Sequence, residues 1–262
     1  MLSCSLDFAH GEVSLLQVAY NVFDGEELLL DSIRSIKPNV DFVAIVYQTT
    51  SNFGNKGNPK LEARMKHLQK LGLVDELKRY EPRNFTDAEK HAMCSPVATE
   101  LGGPPTMVSN QFFNELYKRE QGRQMCAAAG CTHFMSMDTD EYYKEDELAY
   151  AKQCMLEKDL DGTACKMRFY FKEPTYEMLP FDEYNQVPLI YKIKPNASLL
   201  LAHPYPCVVG TQAVVCAIAR RRCTNNAIVA CRARPNKTDV PLRPLLPICQ
   251  RRNRNAPLFI CA

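Results

Sequence analysis

The chain has 262 residues, 46% of them hydrophobic and 24% charged, with a formal net charge of +2. These are ordinary globular values for a chain able to bury one large α/β core, or one domain plus a tail. No run approaches the roughly eighteen apolar residues of a membrane span, and Met1 to His10 lack a basic stretch leading into an apolar one, so a soluble, cytosolic protein is expected.

The first apolar run, Ser14 to Val22, fits a buried strand, and Asp24-Gly25-Glu26-Glu27 reads as a capping box opening a helix. In that reading Glu27 closes the box and is not a ligand. Leu28, Leu29, Ile33 and Ile36 give the helix its apolar face, and Pro38 stops it. Phe42 to Tyr47 predicts a second buried strand, followed by a polar loop from Gln48 to Asn58. Pro59 suits the start of a further helix with a stripe of Leu61, Met65, Leu68 and Leu71, and Gly72 suits its end. Strand and helix alternate as in a parallel α/β sheet.

Glu89 to Thr106 reads as a loop, and Val108 to Ala129 as a long helix with Gly122 as a weak point and Gly130 as its stop. A helix from about Glu145 to Lys158 opens with acids that suit its dipole. Thr163 to Phe171 and Val187 to Ile193 predict two more strands, joined by a polar and aromatic loop that could rim a pocket.

The segment from Cys131 to Glu141 carries the chemistry. A short apolar stretch runs into Asp138-Thr139-Asp140, as a buried strand delivering two carboxylates to the edge of a sheet. Alternation in a strand would point Asp138 and Asp140 at one position and Thr139 away from it. Two carboxylates suit Mg²⁺ or Mn²⁺, which keep positions open for substrate phosphates, and ligands bind at the carboxyl ends of strands in open α/β sheets. An Asp-x-Asp alone also fits a solvated turn or a helix cap. An aspartyl phosphatase fits poorly, because its Asp-x-Asp follows the first strand.

The twelve cysteines are scattered without a Cys-x-x-Cys, and Cys126 and Cys131 lack a His at zinc-site spacing, so buried thiols are expected. His133 reads as a core histidine before a metal ligand. Three glycosylation sequons begin at Asn84, Asn196 and Asn236, and matter only in a secretory lumen. From Thr211 to Ala262 there are ten Lys or Arg against the single acid Asp239, leaving 22 basic and 29 acidic residues before it. This segment holds five prolines, five cysteines and no sustained period, so residues 210–262 read as a disordered or aberrant basic tail. Without interleaved aromatics or a binding motif, no nucleic-acid partner is expected from it.

Two runs resemble glycosyltransferases of the GT-A fold. They are Val18-Ala19-Tyr20-Asn21-Val22-Phe23-Asp24-Gly25-Glu26-Glu27, and Gly122-Arg123 through Ala129-Gly130 into Asp138-Thr139-Asp140-Glu141. The chain is similar to family-2-type enzymes and, more closely, to the small glycosyltransferases encoded by chlorella viruses, over roughly residues 12 to 210. The resemblance implies an α/β, Rossmann-like GT-A domain over residues 1–209, with a mixed, mostly parallel sheet flanked by helices. It implies a nucleotide-sugar donor, UDP-linked by preference, a carbohydrate or other hydroxyl acceptor, and Mn²⁺ or Mg²⁺ on Asp138 and Asp140.

Carried over in the same way, Tyr20 and Asn21 would lie against the base or ribose. Gln48 would be a polar group for the nucleotide, and Lys118 and Arg123 would meet phosphates. The readings from the residues alone make Tyr20 a core aromatic and Lys118 and Arg123 part of a solvated helix face. An inverting enzyme needs an acceptor base, for which Glu183, then Glu173, with Asp182 beside them, lie on the acceptor side. The family's further metal ligand, often His, is missing unless His203 substitutes, because no histidine follows it. A member that binds nucleotide or a partner without catalysis is the alternative.

Overall fold

Four strands, three of them largely apolar, form the parallel part of the sheet. In the computed structural model, which describes residues 16–94, 108–170, 186–194, 197–200, 207–209, 228–231 and 258–261, these are β1 (Leu16–Val22), β2 (Phe42–Tyr47), β3 (Glu76–Arg79) and β4 (His133–Asp138). They pair in parallel in the order β3-β2-β1-β4. β5 (Glu141–Tyr143), β6 (Gly162–Tyr170) and β7 (Gln186–Lys192) follow in sequence. β7 lies antiparallel against β4, and β6 antiparallel against β7. The outcome is a mixed, mostly parallel α/β sheet, as expected from the alternation of strands and helices.

The helices are α1 (Glu26–Ile36), α2 (Leu61–Lys70), α3 (Asp87–Ala92), α4 (Asn110–Ala128) and α5 (Glu145–Glu157). Strand alternation gives each sheet face its own core. Val18, Tyr20, Val22, Val43, Ile45, Met135 and Met137 meet Leu29, Ile33, Leu61, Met65, Leu148 and Met155 of α1, α2 and α5 on one face. Ala19, Ala44, Val46 and Phe134 meet Met125 and Cys126 of α4 on the other. β1, β2 and β4 are thus covered on both sides, which is why they read as continuous apolar runs.

Several expectations change. The helix α3 lies where a loop was expected, opened by a capping box in which Thr86 and Glu89 bond each other's backbone. β3 and β5 carry too few apolar residues to be read as strands; β3 is held by its pairing to β2, with an exposed or half-exposed face. Leu71 is 55% exposed, outside the buried stripe of α2. β8 (Ser198–Leu200) and β9 (Cys207–Val209) form a separate pair. In the region expected to lack packed structure, β10 (Ile228–Cys231) and β11 (Leu258–Cys261) both pair with β6, and β11 also pairs with β5. Among the described residues, no helix is long and apolar enough to cross a membrane, and Cys94, Cys126, Cys131, Cys154 and Cys165 are free thiols.

Gly122 is a contact point for α4. A Cβ there would stand 2.5 Å from Ala19 Cβ on β1, so the helix backbone lies directly on the sheet. Gly122→Ala gains helix propensity but must push helix and strand apart. Urea denaturation is expected to show a net loss of about 1–3 kcal/mol.

Candidate functional site

The site begins where β4 ends. Phe134, Ser136 and Asp138 share the strand face that meets α4, while Met135 and Met137 enter the opposite core. The strand stops at Asp138, and Thr139-Asp140 form a turn into β5. Alternation therefore places Asp138 as expected, whereas Asp140 arrives by a turn.

Thr139 fastens that turn. Its Oγ1 donates to Asp24 O at 3.1 Å and fills the space beside Gly25, where a Cβ would stand 2.5 Å away. Gly25 has φ +68° and is the N-cap of α1 with no side-chain cap, so the expected capping box at Asp24 to Glu27 is absent and Glu27 is simply exposed. Ser32 Oγ donates to Glu141 O at 2.5 Å, and Tyr142 Oη to Leu28 O at 3.0 Å. The acidic turn is thereby tied to the start of α1.

Facing it from α4 is Arg119. Its Nη2 donates to both oxygens of Asp138, at 2.7 and 2.8 Å, its Nη1 to Ser136 Oγ at 3.0 Å, and its Nε to Glu115 Oε1 at 3.1 Å. Burial disfavours the charge on this guanidinium, but Asp138 and Glu115 outweigh it and hold the proton on. Burial and then Asp138 push Asp140 up to about 6. The same two causes raise Glu141, whose Oε2 accepts from Asp138 N at 3.1 Å. Three carboxyl groups thus crowd the end of β4, faced by one arginine.

Asn21, at the end of β1, stands in register with Asp138. Its Nδ2 donates to Ser136 Oγ at 3.0 Å and Met137 O at 3.3 Å, leaving a buried Oδ1 without a partner. Gln48, just after β2, is buried as well. Its Nε2 donates to Asn52 Oδ1 at 3.1 Å, and its Oε1 has no partner. Asn52 reaches Glu115 at 3.4 Å, so a polar chain runs from Gln48 through Glu115 and Arg119 to Asp138. The expected pair Asn21 and Gln48 therefore joins Asp138 and Asp140 at the carboxyl ends of β1, β2 and β4.

Three expected contacts take other roles. Tyr20 is fully buried on the opposite face, its hydroxyl bonded to Ser32 Oγ at 2.9 Å, because alternation turns it away from Asn21. Lys118 is buried against Glu115 at 3.2 Å, so it belongs to neither a solvated face nor an open phosphate site. Arg123 makes a two-point pair with buried Glu120, at 2.7 and 2.8 Å, and Glu120 also accepts Leu199 N at 2.8 Å, pinning β8 to α4. His133 lies at the other end of β4, with Nδ1 2.8 Å from Thr132 Oγ1, consistent with a core histidine. Glu173, Asp182, Glu183 and His203 lie outside the described residues.

Arg119 and Ser136 are the residues that sequence reasoning missed. The signal for Arg119 was its place one turn before Gly122, the residue whose bare backbone marks the helix face against the sheet. No group of three or more His, Cys, Asp and Glu arranged to hold a metal occurs among the described residues. No protein-family model matches this chain, and a search of curated proteins returns no match.

Two measurements check these assignments. Arg123→Met strands the buried Glu120 charge and is expected to cost about 3 kcal/mol in urea denaturation, whereas a phosphate contact would leave stability unchanged. Burial, with Lys192 nearby, lowers the His133 pKa. The unfolded chain therefore binds this proton more readily, and the stability His133 contributes is full above about pH 6.5 and falls as pH drops. His133→Asn should flatten the stability slope between roughly pH 7 and 5.

Proposed function

We propose that this chain is a metal-dependent glycosyltransferase of GT-A type, moving a sugar from a nucleoside-diphosphate donor, UDP-linked by preference, to a hydroxyl acceptor. The observation that carries the reading is the convergence of Asp138, Asp140 and Glu141 with Arg119 and the unpartnered acceptors of Asn21 and Gln48 at one end of the sheet. The sheet, parallel on one side and antiparallel beyond β4, is consistent with it.

The donor set fits a hard cation. Its groups are carboxyls whose ionisation is disfavoured by burial and by one another, a cost that added positive charge relieves. Mg²⁺ is usually held by one or two carboxylates plus substrate phosphates, so a set of three protein ligands is not required. Asp138 and Asp140 would hold Mn²⁺ or Mg²⁺, with Glu141 behind them. When bound, the cation supplies neutralisation of the charge that grows on a leaving diphosphate.

The protein's own part is orientation. Asn21 Oδ1 and Gln48 Oε1 can accept N–H or O–H donors of a base or ribose, a bond that a buried acceptor otherwise lacks. Thr139 and Gly25 fix the turn that carries the carboxylates. The acceptor base belongs to Glu183 or Glu173 in this reading.

A chain that binds nucleotide or a partner without catalysis is the second reading. The two hydrogen bonds from Arg119 to Asp138 favour it, since they engage both oxygens of a proposed metal ligand.

Calorimetric titration of UDP with and without Mn²⁺ tests the donor site. Binding is expected only with the metal, and Asp138→Asn and Asp140→Asn should each weaken it by about tenfold or more, the scale of changes around metal sites. Mn²⁺-independent binding that neither substitution alters would overturn the reading. Release of sugar from UDP-sugars by the wild type then separates transferase from binder.

A further inference from the structure

Arg119 meets Asp138 in a way that bears on how any ligand could enter. One guanidinium nitrogen bonds both carboxylate oxygens, and the adjacent nitrogen holds Ser136, which also accepts from Asn21. Asp138 is still 44% exposed and Arg119 20%, so the pair lies within reach of solvent. A second cation cannot share those oxygens without strong repulsion from the guanidinium. Binding at Asp138 is therefore favoured by Arg119 letting go.

Release does not strand the arginine. Its Nε and Nη2 already contact Glu115 Oε1 on its own helix, at 3.1 and 3.0 Å. Glu115, however, is also paired with Lys118 at 3.2 Å. The four groups Glu115, Asp138, Lys118 and Arg119 sum to zero charge. A divalent cation on Asp138 adds positive charge beside Arg119 and Lys118, and an incoming diphosphate offsets it.

We propose, building on the metal-dependent reading above, that Arg119 is an internal counter-ion for Asp138, released when a divalent cation binds and then available to a diphosphate. Cation and nucleoside diphosphate consequently bind cooperatively. The unpartnered Asn21 Oδ1 beside this pair, on a residue 6% exposed, is an independent sign that a polar ligand completes the region. By linkage, each ligand raises the affinity for the other by the same factor, and couplings of about 5–150-fold are typical.

The test measures Mn²⁺ binding from the free-ion electron paramagnetic resonance signal, with and without UDP, in the full-length wild type, Arg119→Gln and Arg119→Lys. Arg119→Gln is expected to bind Mn²⁺ alone about tenfold more tightly than wild type, because no guanidinium competes, and to show a smaller gain on adding UDP. Arg119→Lys, which keeps the charge but loses the two-point bond, should fall between them. Circular dichroism establishes that each variant is folded, and Arg119→Lys carries the comparison if Arg119→Gln is not. Wild-type Mn²⁺ binding with UDP, combined with no tightening in either folded variant, overturns the counter-ion role and leaves the glycosyltransferase reading standing. Absence of Mn²⁺ binding in all three proteins, with UDP present, overturns both.

Discussion

The approach of α4 to β1 at Gly122 is the constraint on which the site depends. With Ala19 below it and no side chain of its own, Gly122 lets the helix lie on the sheet. Arg119, one turn earlier, then reaches Ser136 and Asp138 with short bonds, while Arg123, one residue later, points to Glu120. A helix held farther out would leave the same residues as a solvated charged stripe. Helix position thus decides which charges are structural and which lie at the strand ends.

Electrostatics on this face follow from that closeness. Buried charges persist only when paired and hydrogen-bonded, and both α4 pairs meet the condition. Glu120 and Arg123 neutralise each other and take the backbone of β8 as a further partner. Around Asp138 the compensation is incomplete, because burial and Asp138 disfavour ionisation of Asp140 and Glu141, pushing them up to about 6 and about 8, and Arg119 does not offset this. One pair stabilises, while the other leaves an appetite for positive charge at the end of the sheet.

Much of the architecture was legible in the sequence because it is written in periodicity. β1, β2, β4, β6 and β7 are apolar runs, and α1, α2, α4 and α5 have recognisable starts or stops, so their spans fall within a few residues of expectation. β3 and β5 were not legible, since hydrogen bonds to a neighbouring strand hold them without an apolar run. Asp138, Asn21 and Gln48 could be placed at strand ends by counting. The roles of Tyr20, Lys118 and Arg123 could not, because a side chain's burial and partner depend on packing between elements far apart in sequence. Arg119 escaped notice for the same reason, lying between Lys118 and Arg123 on one helix.

The pairing of Asn21 with Ser136 spans 115 positions, and so does the bond from Thr139 to Asp24. Closing so large a loop carries an entropic cost that only the full set of β1–β4 contacts can offset. A chain emerging from the ribosome can complete β1, α1 and β2 long before β4 is made. During that interval the slot beside Gly25 and the unpaired edge of β1 stand open. The acidic turn therefore meets Asn21 and the start of α1 only as β4 enters the sheet, which makes assembly of this end a late event and ties it to closure of the core.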